Sequence, residues 1–77
     1  MEINDFIKNF ASDFEMTNLE DITPSTIFKD LDEWDSLMSL GIIGMIKNNY
    51  NVKITGGEIR DVITVEELFN LVASRQV

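Results

Sequence analysis

Apolar residues recur at spacings of three and four through most of this chain, a periodicity that admits few folds other than packed helices. Ile3, Phe6, Ile7, Phe10, Ala11 and Phe14 follow it at the start, with Asp5, Lys8, Asn9, Ser12, Asp13 and Glu15 on the other side. A helix returns to one face every three to four residues, so this segment reads as an amphipathic helix burying three phenylalanines. A second helix is expected from about Ser36 to Asn49. Residues set at about 100° intervals put Ile42, Ile43, Ile46 and Tyr50 on one face, with Met38, Leu40 and Met45 on its shoulders. Val65, Leu68, Phe69 and Val72 give the buried face of a last helix, with Leu71 and Ala73 at its edges. Thr64 and Glu67 have the spacing of a capping box, Ile63 and Leu68 that of a hydrophobic staple, and Arg75 suits the helix dipole.

The remaining segments connect these helices. Asn49-Tyr50-Asn51 is a suitable end for the second, because Asn tolerates a left-handed terminal position. Val52-Lys53-Ile54-Thr55 alternates like a strand, but is too short and partnerless for a sheet, and reads as an extended connector. Gly56-Gly57 is expected to break the chain before one short helical turn over Glu58–Val62. Residues 16–35 are irregular by every local signal, with turn chemistry at Thr17-Asn18, Asp21, Thr23-Pro24-Ser25 and Asp30. Pro24 excludes a helix through that point but suits the start of a short turn over Pro24–Ile27. Leu19, Ile22, Ile27, Phe28 and Leu31 are available to pin this long loop to the core. The fold class is therefore all-α: a small four-helix bundle of three main helices and a short third, with a long loop between helices 1 and 2.

Seventy-seven residues are read as a single domain near the lower limit for a core without disulfides or metal. The absence of Cys removes disulfide and thiolate-metal frameworks, and cytoplasmic residence is the simplest expectation. Met1-Glu2-Ile3-Asn4-Asp5 is acidic and lacks an apolar run, so it does not read as a signal peptide. No stretch approaches the roughly 20 apolar residues of a bilayer span, and no membrane insertion is expected. The formal charge is −8, and all of that excess lies in residues 1–35, with ten carboxylates and two cations; residues 36–77 hold four of each. Such a front half repels a phosphate backbone, so nucleic acid is excluded as a partner and a basic protein is favoured.

The candidate site is Glu33-Trp34-Asp35-Ser36-Leu37, where the irregular segment meets the second helix. Asp35 and Ser36 are both capping residues, so a helix begins on or beside the serine, and its unpaired N–H groups favour a phosphate. The chain has no His and no Cys, and neither Lys29 nor Lys47 stands in a recognisable motif with Ser36. No catalytic residue is assigned. Ser36 reads as an acceptor modified by another protein. Asp30, Asp32, Glu33 and Asp35 place four carboxylates just before it. The glycine and later glutamate of a calcium loop are missing, so they read as a solvated acidic lip and not as a metal site.

Asp35-Ser36-Leu37, the apolar helix behind it and the later Ile63-Thr64-Val65-Glu66-Glu67-Leu68 resemble an acyl carrier protein over nearly the whole chain. The Trp34 form, Trp-Asp-Ser-Leu, resembles stand-alone carriers that serve specialised assembly lines as well as lipid synthesis. The resemblance implies that Ser36 carries a covalent 4′-phosphopantetheine arm, with Asp35 and Leu37 read by the phosphopantetheinyl transferase that attaches it. It also implies a non-enzymatic, monomeric carrier of acyl groups as thioesters for fatty acid, polyketide or other biosynthesis. Further partners would be an acyl-loading ligase or transferase and a ketosynthase or other assembly-line enzyme. A short third helix would stand beside the mouth of an acyl cleft between helices, with Ile59 and Val62 as candidates to line it. Trp34 is expected to anchor the loop.

The second helix departs from that family. Its members commonly place acidic residues along this helix for basic partners, whereas Met38, Gly41, Lys47 and Asn48 stand at the corresponding positions here. Leu37, Gly41, Gly44 and Asn48 form an uncharged stripe behind the serine, and an interior glycine costs roughly 0.5–1 kcal/mol relative to alanine. Two explanations stay open. Partners meet the stripe at Leu37, Met38, Gly41 and Gly44 by shape while Asp30, Asp32, Glu33 and Asp35 supply charge, or the glycines admit another helix of the same bundle. The neutral helix also supports an alternative function, an unmodified acidic interaction module that keeps the carrier fold.

Overall fold

A computed structural model describes residues 2–76. Among them are four α-helices: α1 (Ile3–Ala11), α2 (Ser36–Tyr50), α3 (Gly56–Asp61) and α4 (Val65–Arg75). Two 3-10 turns, Leu19–Asp21 and Phe28–Asp30, punctuate the long loop between α1 and α2. The described residues contain no strand beyond an isolated antiparallel bridge between Ile27 and Thr64. α1 packs against α2 and α4, and α3 packs against α2. The fold is thus the small all-helical arrangement expected, with a long first loop and a short third helix.

Phe6, Phe10 and Phe28 are wholly buried and lie on a continuous path of aromatic rings. Phe69 of α4 meets Phe6 edge-on at 5.6 Å, Phe6 lies 6.4 Å from Phe10, and Phe10 meets Phe28 at 5.7 Å. Phe28 in turn meets Trp34 edge-on at 4.8 Å. Offset and edge-on ring pairs stabilise beyond the area they bury, so this path fastens the loop to the α1–α4 core. Ile42, Met45 and Ile46 supply the buried face of α2, while Tyr50 reaches α1 by accepting a 2.8 Å hydrogen bond from Asn9 Nδ2. Val52 and Ile54 are buried, so the connector between α2 and α3 is extended but well anchored. Asn51 ends α2 in the left-handed region, at φ 56°, with its N–H on the Lys47 carbonyl at 3.0 Å.

Several local expectations are corrected. α1 stops at Ala11, and Phe14 fills the core from the turn that follows. Pro24 and Ser25 form a simple turn, and the helical turns of the loop lie to either side of it. The carbonyls of Pro24 and Thr26 instead accept the Glu66 and Val65 N–H groups at 2.9 and 3.0 Å, satisfying donors at the start of α4. Thr64 Oγ1 accepts the Glu67 N–H at 3.1 Å, but the Glu67 carboxylate accepts the Ile63 N–H in place of the reciprocal capping-box bond. Ile63 itself stays half exposed.

Gly56 and Gly57 do not interrupt the chain; they form the first turn of α3. A full capping box holds them there: Thr55 Oγ1 accepts the Glu58 N–H, and the Glu58 carboxylate accepts the Thr55 N–H. Arg75 at the end of α4 pairs with that carboxylate and also donates to the Lys53 carbonyl at 3.2 Å. The Arg75 hydrogen bonds, followed by those from Thr55, hold the Glu58 carboxyl down at about 2.

Two outcomes follow from this packing. Phe28→Ala should lose about 3–5 kcal/mol in urea unfolding followed by Trp34 fluorescence, the range for truncating a buried aromatic ring. Glu58→Gln should lower Tm at neutral pH, with the gap from wild type closing in acid. The folded-state value lies below the ordinary 4.5, so the stabilisation is complete above about 4.5 and is lost as pH falls through about 2. A Tm gap that stays constant across that window would remove the ion pair from the account.

Candidate functional site

Ser36 is the first residue of α2, and Asp35 is its N-cap. Asp35 is extended, at φ −153° and ψ −172°, and its carboxylate accepts the Met38 N–H at 2.8 Å. One N–H of the first turn is satisfied in this way. The Ser36 and Leu37 N–H groups have no protein acceptor among the described residues. Ser36 is exposed; its carbonyl accepts the Ser39 hydroxyl at 2.9 Å, while its own hydroxyl is unbonded among the described residues. A cap that faces the backbone thus stands beside a serine that faces solvent. This division leaves the Ser36 oxygen open to solvent without cost to the helix.

Trp34, two residues earlier, is half buried and held by Phe28, which fixes the approach of the chain to the serine. Two clefts flank this point, and Asp35 lines both. The first, of about 320 Å³, is walled by Trp34, Ile59, Lys29, Arg60 and the two serines, Ser36 and Ser39. Lys29 Nζ donates to the Arg60 carbonyl across it, joining the loop to α3. The second, of about 450 Å³, lies between the end of α1 and α2 and gathers Asp13, Glu15, Glu33, Leu37, Met38 and Gly41. Partial desolvation there raises the Asp13 carboxyl above its ordinary value.

The four carboxylates before the serine do not form one solvated lip. Glu33 is committed to the chain: it accepts the Glu15 and Met16 N–H groups at 3.0 Å and the Thr17 hydroxyl at 2.6 Å. The Thr17 hydroxyl, with the backbone donors, holds its carboxyl below the ordinary value. Asp35 is committed to the helix cap. Asp30 and Asp32 remain exposed, Asp32 in a separate cleft with Met16, Thr17, Asp21 and Leu31. Asp13 and Glu15 lie beside Leu37 although some twenty residues separate them, a proximity with no local signal. Lys29 and Arg60 likewise meet only through the fold. The Thr55–Glu58 spacing, by contrast, was available as a Thr-x-x-Glu capping signature.

Leu37, Leu40, Gly41 and Asn48 are exposed and Gly44 is half buried, with Leu37 and Leu40 at 78% and 64% exposure. A methyl group at Gly41 or Gly44 would meet nothing within 4 Å. The glycines therefore do not admit another helix of this bundle, and that explanation is overturned. Ile59 is buried behind the first cleft, and Val62 is half buried against the core. Ile59 thus serves as a cleft wall, while Val62 is not among the residues lining either cleft.

A family model described as a phosphopantetheine attachment site matches residues 5–72. No curated protein and no solved structure matches the chain.

Gly41→Ala and Gly44→Ala should each raise stability by about 0.5–1 kcal/mol in chemical denaturation, because the added methyl restricts the unfolded chain and meets no neighbour. A loss at either position would show a packed surface where the geometry shows an open one.

Proposed function

The chain belongs to the phosphopantetheine attachment-site family, and we propose that Ser36 is the serine that carries the arm. Members of that family are non-catalytic carriers that hold 4′-phosphopantetheine covalently on a serine. The observation supporting Ser36 is its exposed, unbonded hydroxyl at the start of α2, next to an N-cap that leaves two first-turn N–H groups free. These groups fit a phosphate ester. Ser36 would lose its proton to a base of the transferase, since this chain offers no His. Its oxygen would then bond the pantetheine-side phosphorus of coenzyme A as the anhydride bond breaks and 3′,5′-bisphosphoadenosine leaves. The terminal thiol of the bound arm supplies the thioester-forming sulfur that a cysteine-free chain lacks.

The cargo is an acyl or related group, carried as a thioester for fatty acid, polyketide or other specialised biosynthesis, with residues 1–77 acting as one carrier domain. Asp35 fixes the serine's backbone for the transferase, and Leu37 offers it an apolar contact. The same surface, Leu37 with Leu40, Gly41 and Gly44, receives the acyl-loading and chain-processing enzymes. Met38 and the carboxylates of Asp13 and Glu15 border it, so a partner combining apolar and basic groups is complementary. The openness of both glycines supports this reading.

Incubation with coenzyme A and a broad-specificity phosphopantetheinyl transferase, read by intact mass, tests the attachment. One phosphopantetheine on the wild type and none on Ser36→Ala is expected. No addition to the folded wild type by several transferases would favour the unmodified interaction module. Leu37→Ala should take up the arm more slowly, with its circular dichroism unchanged.

A further inference from the structure

Six cationic side chains stand against fourteen carboxylates in this chain, yet two of the six line the cleft beside Ser36. Lys29 comes from the second 3-10 turn and Arg60 from α3. Lys29 Nζ donates to the Arg60 carbonyl and lies 5.9 Å from the centre of the Phe28 ring, so its position is fixed from two sides. An ammonium carries three donors, and this arrangement leaves two for the cleft. The Arg60 guanidinium is exposed and has no acceptor among the described residues, whereas Arg75 is spent on Glu58 and Lys47 donates to Asn51. Asp35 is the one carboxylate on the cleft wall, and its oxygen accepts the Met38 N–H.

We propose that Lys29 and Arg60 form a seat for the phosphodiester that joins the arm to Ser36, directing the arm over the Trp34–Ile59 side of the protein. This rests on Ser36 being the attachment residue. A phosphodiester keeps one negative charge at neutral pH. A guanidinium offers it two parallel donors and an ammonium a point charge, and a recessed cleft screens them less than open water does. The seat holds only the root of the arm, and the thiol end remains free to reach partners. It also gives the arm a side. Asp35 is common to both clefts, and the one across the start of α2 adds Asp13, Glu15 and Glu33, which repel the phosphate that Lys29 and Arg60 attract.

The test is phosphorus NMR of the full chain loaded with phosphopantetheine, comparing wild type, Arg60→Gln, Lys29→Gln and Lys8→Gln. Lys8 lies on α1, away from the cleft. Intact mass first establishes loading, and circular dichroism establishes folding. Arg60→Gln removes no side-chain hydrogen bond or ion pair among the described residues, so it stays informative even if Lys29→Gln loosens α3. At low salt the wild-type and Lys8→Gln phosphorus resonances should coincide. That of Arg60→Gln should shift and narrow, as should that of a folded Lys29→Gln. In about 1 M salt, where the Debye length is about 3 Å, the wild type should move to the Arg60→Gln position. Coincident wild-type and Arg60→Gln resonances at low salt overturn the seat while leaving the attachment intact. A wild type that gains no mass overturns both.

Discussion

Phe28 between Phe10 and Trp34 is the contact on which the site depends. Residues 12–35 cross from α1 to α2 without a regular helix, and ordering each of them costs roughly 1–2 kcal/mol of backbone entropy. Turn hydrogen bonds, such as Asp21 N–H on the Asn18 carbonyl and Trp34 N–H on that of Leu31, offset part of that cost, and buried side chains must supply the rest. Phe14, Ile22 and Phe28 enter the core from this segment, and Trp34 closes over Phe28 one residue before the cap. The position of Ser36 is inherited from that sequence of contacts. α2 begins where it does because the loop ends where Phe28 holds it.

Polar contacts at the ends of the segment complete the arrangement. At one end Glu33 gathers the Glu15 and Met16 N–H groups and the Thr17 hydroxyl, closing the chain that leaves α1 onto the residues just before α2. Near the middle, the Pro24 and Thr26 carbonyls occupy the first two N–H groups of α4. The loop therefore serves as an N-terminal cap for a helix that begins some forty residues after Pro24 and Thr26. Both contacts satisfy backbone donors that would otherwise need water, and both turn an irregular segment into a fixed one.

What the sequence made legible was most of what period and short-range capping carry, the Thr55–Glu58 box and the Glu67 bond to Ile63 excepted. α1, α2 and α4 follow from apolar spacing, and the start of α2 follows from Asp35-Ser36. Misplaced features were those in which a neighbour in space outweighed the local signal. Phe14 keeps the helical period but lies past the helix end, because the core draws it in from a turn. Gly56-Gly57 carries a breaker signal, yet the Thr55–Glu58 box and Arg75 supply what two glycines lose. Glu33 resembled its acidic neighbours until the fold brought residues 15–17 to it. No pattern within the segment distinguishes that carboxylate from Asp32.

Charge shows the same limit in a form that bears on function. Divided along the chain, the acidic excess belongs wholly to residues 1–35 and the rest is balanced. Divided in space around Ser36, the contrast is different. Asp13, Glu15 and Glu33 gather on the Leu37 side, while Lys29, from the acidic half, joins Arg60, from the neutral half, on the other, with Asp35 on the wall between them. A helix that bears almost no charge of its own thus begins on a border between surfaces of opposite sign. An acidic docking helix would bring its field to the partner directly. Here the field comes from the elements that flank α2, and the helix is left free to be apolar, with no neighbour within 4 Å of a methyl group at either glycine. That division of labour is the physical sense in which a neutral second helix remains compatible with a carrier.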